Sequence, residues 1–164
     1  MIDFIIRDLR KDEIPLLDDF LYNAIFIPEW YKEEVPRDII YNDPMVYASI
    51  KDFGTHPDDY CLVAEVCGKV VGAVWVGISD EYGHIDDKTP SFSISVYKEY
   101  RGQGIGTALM KSMLSLLKSK GYARASLGVN KENYAVRMYE KVGFKIIGDG
   151  ANETEWLMVC ELNK

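Results

Sequence analysis

An α/β (α+β) fold, in which a mixed sheet carries helices on both faces, is what this chain of 164 residues predicts. Three observations carry the prediction. Strand-like and helical runs interleave along the chain, and its middle is rich in β-type residues. Tyr60–Val66 and residues 70–78 read as two strands joined by Cys67-Gly68-Lys69, a hairpin signature with glycine at the bend. In Ser91–Val96, Phe92, Ile94 and Val96 alternate with serines, and this strand passes through a glycine-rich turn into a strongly amphipathic helix.

Taken in order, residues 4–7 predict a first strand. Residues 11–26 carry Ile14, Leu17, Phe20, Leu21 and Ala24 at helical spacing, with Asp12, Glu13, Asp18 and Asp19 enriching the early turns in acid. Pro28 and Pro36 bracket a loop. Residues 38–50 predict a second helix, with Pro44 as its candidate break. His56-Pro57-Asp58-Asp59 is a turn before the hairpin, and residues 79–90 form a polar loop before Ser91–Val96. Residues 105–120 are the clearest helix. Ile105, Leu109, Met113, Leu116 and Leu117 form its buried stripe, Lys111, Ser115 and Lys118 its wet face, and Gly121 its C-terminal cap. Residues 123–129 predict a strand, 132–141 a helix, and 144–148 and 154–162 the last two strands.

Length and composition bound the class. One domain, spanning 1–164, is expected at this size, and an apolar fraction of 48% is enough for a substantial core. No apolar run approaches a membrane span, and Met1-Ile2-Asp3-Phe4 lacks the basic start of a signal peptide, so no membrane association is expected. Cys61, Cys67 and Cys160 have no metal-ligand spacing and form no even disulfide set. They read as buried or half-buried strand thiols in a reducing cytoplasm, and no metal is expected. A net charge of −7 argues against a nucleic-acid surface and modestly favours a cationic substrate.

The glycine turn is Arg101-Gly102-Gln103-Gly104-Ile105-Gly106. Its glycines let the backbone turn sharply and approach a ligand closely. The helix behind it presents free N–H groups and the positive end of its dipole, which suits a phosphate. No acidic residue lies between Arg101 and Lys111 to compete with a bound anion. The commoner phosphate motifs fail: Gly106-Thr107-Ala108 stands where a P-loop needs Gly-Lys-Ser/Thr, and Thr107 where a dinucleotide fingerprint needs its last glycine. Further along, Leu127-Gly128-Val129 reads as a strand, and the following helix opens at Asn133-Tyr134-Ala135 and stops at Gly143-Phe144.

Together these two blocks resemble the GNAT superfamily of acetyl-CoA-dependent N-acetyltransferases. The family's loop, Gln/Arg-x-x-Gly-x-Gly/Ala, is matched by Arg101, Gly104 and Gly106. Its second block, Asn-x-Ala-x-x-x-Tyr-x-x-x-Gly-Phe, is matched by Asn133, Ala135, Tyr139, Gly143 and Phe144. The resemblance is close over residues 91–147. It implies a seven-stranded, mostly antiparallel sheet flanked by about four helices. The sheet is splayed between the fourth and fifth strands to admit the cofactor's pantetheine arm, with a cofactor-binding core at 91–148. It implies acetyl-CoA as co-substrate and a primary amine as acceptor, on a small molecule or a protein, by direct transfer in a ternary complex. A longer acyl donor, or an acyl-CoA-binding sensor without turnover, are the alternatives. A homodimer through the last strands is compatible with the sequence, and no residue demands it.

For the cofactor, the expected contacts are the main chain at Val96 and the backbone of Arg101, Gly102, Gln103, Gly104, Ile105 and Gly106, with Tyr97, the Thr107 hydroxyl, Asn133 and Ala135 alongside. Tyr139 is the expected general acid, since a phenol stays protonated at neutral pH and can donate to a departing thiolate. The general base is harder to find. Many family members carry a glutamate on the strand before the phosphate loop, and Ser91–Val96 has no carboxylate. The loop Asp80-Glu81-Tyr82-Gly83-His84-Ile85-Asp86-Asp87 offers candidates, among which His84 has the side-chain type suited to proton transfer near neutrality. Glu29, with Glu33 and Glu34, lies in the early loop that often covers the acceptor in this family, and Trp30 and Tyr31 could line an acceptor pocket there.

Overall fold

The computed structural model describes residues 2–163; Met1 and Lys164, the ends of the expected domain, lie outside the described residues. Seven strands form one sheet: β1 (Ile5–Asp8), β2 (Tyr60–Val66), β3 (Lys69–Gly77), β4 (Ser91–Val96), β5 (Arg124–Asn130), β6 (Lys145–Asp149) and β7 (Glu155–Glu161), in spatial order β1-β2-β3-β4-β5-β7-β6. All neighbours are antiparallel except β4 and β5, which run parallel and pair only at Ser91↔Ser126. The expected splay is therefore present, and it opens from the starts of these two strands toward their ends.

Five α-helices are seen where about four were expected: α1 (Leu16–Ala24), α2 (Ile39–Asn42), α3 (Pro44–Tyr47), α4 (Ile105–Ser119) and α5 (Val136–Lys141). The extra helix comes from the break at Pro44. Asp43 is extended, its carboxylate accepts from Met45 N–H at 2.9 Å, and Pro44 starts α3 at the position where a missing N–H costs nothing. The predicted helix over 11–26 is likewise shorter. A 3₁₀ turn at Lys11–Glu13 precedes Pro15, and α1 begins after that proline, which cannot donate within a helix.

The two sheet faces are covered separately. On β2, Leu62 and Ala64 join the core beneath α4 with Leu109, Met113 and Leu117. Cys61 and Val63 point the other way, into the core formed with Leu17 and Phe20 of α1 and Ile40 of α2. This is the period-two alternation of a strand buried on both faces. Cys67 departs from expectation: it is exposed and sits in the hairpin turn rather than in a strand. Cys67 and Gly68 both take positive φ, so the turn has two residues and Val66 pairs directly with Lys69.

Candidate active site at the splayed strands

The register of β4 decides what faces the gap. Tyr97 N–H donates to Val71 O at 2.9 Å, so Tyr97, Ser95 and Ser93 exchange their bonds with β3. Antiparallel alternation then turns the N–H and C=O groups of Ile94 and Val96 toward β5. On β5, Lys131 N–H donates to Thr154 O, and the same alternation turns Gly128 and Asn130 toward β4. Since β4 and β5 pair only at Ser91↔Ser126, the strands part with backbone donors and acceptors lining both sides.

The glycine turn closes the wide end of this gap. Gly104 is the N-cap of α4, in the left-handed region at φ +84, and Gly102 has φ +75. A Cβ on either would strain the backbone but would meet nothing within 4 Å. The space in front of the loop is open. Ala108 N–H is the first to bond within the helix, to Gly104 O, which leaves the N–H groups of Ile105, Gly106 and Thr107 without a helical acceptor. No side chain caps them and the first turn holds no acid. These features fit a diphosphate.

The flanking residues make contacts within the protein. Arg101 folds back: its Nε donates to Val96 O at 2.8 Å and its guanidinium reaches Asn23 O, so it clasps the end of β4 to the last turn of α1. Tyr97 is turned to the α1 side, with its ring stacked on Phe20 at 4.8 Å and its hydroxyl donating to Asp19 at 2.5 Å. Gln103 is half-buried in the turn. Asn133 Oδ1 accepts from Ala135 N–H at 2.9 Å, closing the turn that leads into α5, and Ala135 packs on the core beneath α4.

A cavity of about 300 Å³ lies at the narrow part of the gap. Phe92 and Ile94 of β4, Gly128 of β5, Asn133 and Tyr139 line it, and so does Glu81. Tyr139 is buried, its hydroxyl has no protein partner among the described residues, and burial pushes its pKa up to about 12. It stays protonated at any physiological pH.

Glu81 is the residue that sequence reasoning did not single out among the acids of its loop. It is 8% exposed. Burial pushes its carboxyl up to about 8, partly offset by the Ser91 hydroxyl beside it. The loop is held against the sheet where β4 and β5 part. Ser126 Oγ donates to Gly83 O at 2.6 Å, Gly83 packs on the backbone of Leu127 and Gly128, the Tyr82 hydroxyl donates to the Asp43 carboxylate, and Ser79 Oγ donates to Ala48 O at 3.1 Å. No hydropathy pattern could reveal this, because a polar loop reads as solvated. Only its Gly83, facing Gly128 of β5, hints at close backbone contact.

A second cavity, about 350 Å³, shares Met45, Glu81 and Tyr82 with the first and extends past Asp80, His84 and Ala151 to Leu157. His84 thus lines the second cavity and not the first; its Nδ1 is buried without a partner and its Nε2 lies 3.9 Å from the Asp80 carboxylate. Glu29, Trp30 and Tyr31 are exposed on the surface loop, with Trp30 and Tyr31 edge to face at 6.3 Å, and they line neither cavity. Among the described residues, no three His, Cys, Asp or Glu side chains come together as metal ligands, and no helix is long and apolar enough to cross a membrane.

The chain's likeness to known proteins agrees with this geometry. The sequence model of the acetyltransferase (GNAT) family matches residues 24–144. An acetyltransferase of Sodalis glossinidius is 34% identical over 107 residues, which are 65% of this chain and 70% of that one. Among solved structures, an acetyltransferase of the GNAT family from Streptococcus pneumoniae superposes with a TM-score of 0.68 at 20% identity, covering 97% of this chain and 99% of the other. YncA, a putative acetyltransferase from Salmonella typhimurium solved with its cofactor acetyl-CoA, has a TM-score of 0.68 at 19% identity, covering 99% and 95%.

Proposed function

The chain belongs to the acetyltransferase (GNAT) family, and on that premise we propose that it is an N-acetyltransferase carrying an acetyl group from acetyl-CoA to a primary amine by direct transfer. The observation that carries this reading is the parting of β4 from β5 between the glycine turn and a cavity lined by Tyr139. The likeness to YncA, solved with acetyl-CoA, supports the same co-substrate. The whole chain acts as one domain with its cofactor-binding core at 91–148.

Bound acetyl-CoA supplies a thioester, an acyl carbon activated toward amines. The N–H groups of Ile105, Gly106 and Thr107 hold the diphosphate, with Gly102 and Gly104 leaving room for it. The backbone of Ile94 and Val96 on one side, and of Gly128 and Asn130 on the other, orients the pantetheine arm as a strand orients its neighbour. Tyr139 donates its hydroxyl proton to the departing sulfur. Cys61 and Cys160 are buried in strands, away from the cavity lining, so transfer passes directly to the amine rather than through a cysteine. An odd set of three cysteines without metal-ligand spacing suits a reducing compartment, and we assign the protein to the cytoplasm.

The test is calorimetric titration with acetyl-CoA, NAD and ATP, followed by thiol release over a panel of amines. Selective binding of acetyl-CoA with amine-dependent release is the expected result. Equal binding of NAD, or release that no amine stimulates, would overturn the reading.

A further inference from the structure

Most primary amines are cations at neutral pH and must lose a proton before they can attack a carbonyl. A side chain that takes that proton has to reach the acyl carbon from the acceptor's side of the site. The strand that often supplies a carboxylate in this family, Ser91–Val96, has serines as its only polar side chains.

Glu81 is the carboxylate shared by the lining of both cavities. The first cavity holds Tyr139 and the parted strands; the second leads away past Asp80, His84, Ala151 and Leu157. Neither lining includes a lysine or an arginine. Met45, Ala151 and Leu157 give the second cavity apolar wall, enough for an alkyl stem, and Asp80, Glu81 and His84 give it a polar side.

Resting on the acetyl-transfer reading above, we propose that the second cavity is the acceptor channel, that it admits a primary alkylammonium, and that Glu81 is the general base that receives its proton. The step balances. The ammonium gives one proton to the Glu81 carboxylate, and its nitrogen lone pair forms the C–N bond. The C–S bond breaks, and the thiolate takes the Tyr139 proton. The second ammonium proton, shed as the amide forms, returns to Tyr139 through solvent. The Ser91 hydroxyl, buried on β4 without a hydrogen-bond partner among the described residues, lies beside the carboxyl. Burial raises its pKa and the Ser91 hydroxyl on β4 lowers it in part; the other titratable side chains around the two cavities are Asp80, Tyr82 and His84 from its own loop, Tyr139 from α5 and Glu155 from β7.

The test uses the full chain, acetyl-CoA, and two sources of the same chemistry: 1,4-diaminobutane as a free alkylamine and a short lysine-containing peptide. Hydroxylamine, an amine already neutral at pH 7, is the control acceptor. Glu81→Gln should lower kcat on the alkylamines about 100-fold. It should leave acetyl-CoA affinity unchanged and remove the rise of kcat/KM with pH on the acid side. Activity on hydroxylamine should fall less than 5-fold, which a merely structural defect would not spare. Ala151→Trp should raise the amine KM alone. The source that Glu81→Gln and Ala151→Trp affect identifies the acceptor as free or peptide-borne. Equal loss on hydroxylamine, an unchanged pH profile, or a raised acetyl-CoA KM in Ala151→Trp would overturn this assignment while the acetyl-transfer reading stands. A wild-type protein that binds acetyl-CoA but acetylates no amine would overturn both.

Discussion

Gly83→Ala is the substitution for which the structure makes the sharpest demand. Gly83 has no unusual φ, so the cost is steric rather than conformational. A methyl group there would lie 2.5 Å from Ser91 Oγ, 2.7 Å from Gly128 N and 2.9 Å from the Leu127 carbonyl carbon. Two of these three are backbone atoms of β5 and cannot swing away. The loop must lift instead, and overpacking of this kind costs about 1–3 kcal/mol. Lifting also breaks the buried bond from Ser126 Oγ to Gly83 O, leaving two unpaired polar groups for a further ~1–3 kcal/mol. The sum is roughly 2–6 kcal/mol. For a chain of this length each kcal/mol moves Tm by about 2–4 °C, so Tm should fall by roughly 4–24 °C. Gly106→Ala is the internal control, because a methyl there meets only Met138 Cε, at an ordinary 3.8 Å. Differential scanning calorimetry of both variants beside wild type measures the difference. A Gly83→Ala protein melting within about 2 °C of wild type would refute the idea that this loop is wedged between the parted strands.

Three further outcomes are expected. Gly106→Ala should keep or slightly raise Tm, since alanine favours a helix by up to ~1 kcal/mol over glycine, yet weaken acetyl-CoA binding by crowding the diphosphate site; unchanged affinity on titration would remove Gly106 from that site. Tyr139→Phe should lower kcat by about 100-fold with the acetyl-CoA KM within a few-fold, and steady-state kinetics showing undiminished kcat would remove the tyrosine as acid. Glu81 adds a pH dependence to stability. Its carboxyl titrates near 8 when folded and near 4.5 when unfolded, so between these values the native state binds the extra proton and stability falls as pH rises. Glu81→Gln lacks that proton, so its urea stability relative to wild type should improve by about 1.4 kcal/mol per pH unit across this window; parallel curves at pH 5, 7 and 9 would contradict the buried carboxyl.

Much of this architecture is legible from local pattern, and the illegible parts have a common cause. β4 and α4 are readable because alternating serines and a leucine-methionine stripe report burial through period alone. The Cys67-Gly68 bend is readable as a turn, but not its two-residue length, which needs a cysteine to accept positive φ. The cofactor side of the site is carried by backbone and glycine, and glycine spacing survives in sequence. The acceptor side we propose is carried by a polar loop folded inward. Nothing within residues 79–90 distinguishes Glu81 from Asp80, its neighbour, whose side chain is fully exposed. That difference arises from long-range contacts of the loop, among them that of Gly83 with Gly128, 45 positions along the chain.

The sheet is two half-sheets, β1 to β4 and β5 to β7, and a single residue pair stitches them. A flexible arm laid between Ile94 and Gly128 would act as a borrowed strand, lending the ladder the rungs it lacks. Folding and substrate capture then draw on the same rungs. The amides of Ile94, Val96, Gly128 and Asn130 are poised to exchange quickly in the free protein and to become protected together once the arm is zipped in. Each catalytic turnover, on this view, is a small cycle of completing and undoing the sheet itself, with the Gly83 wedge setting how far apart the halves rest.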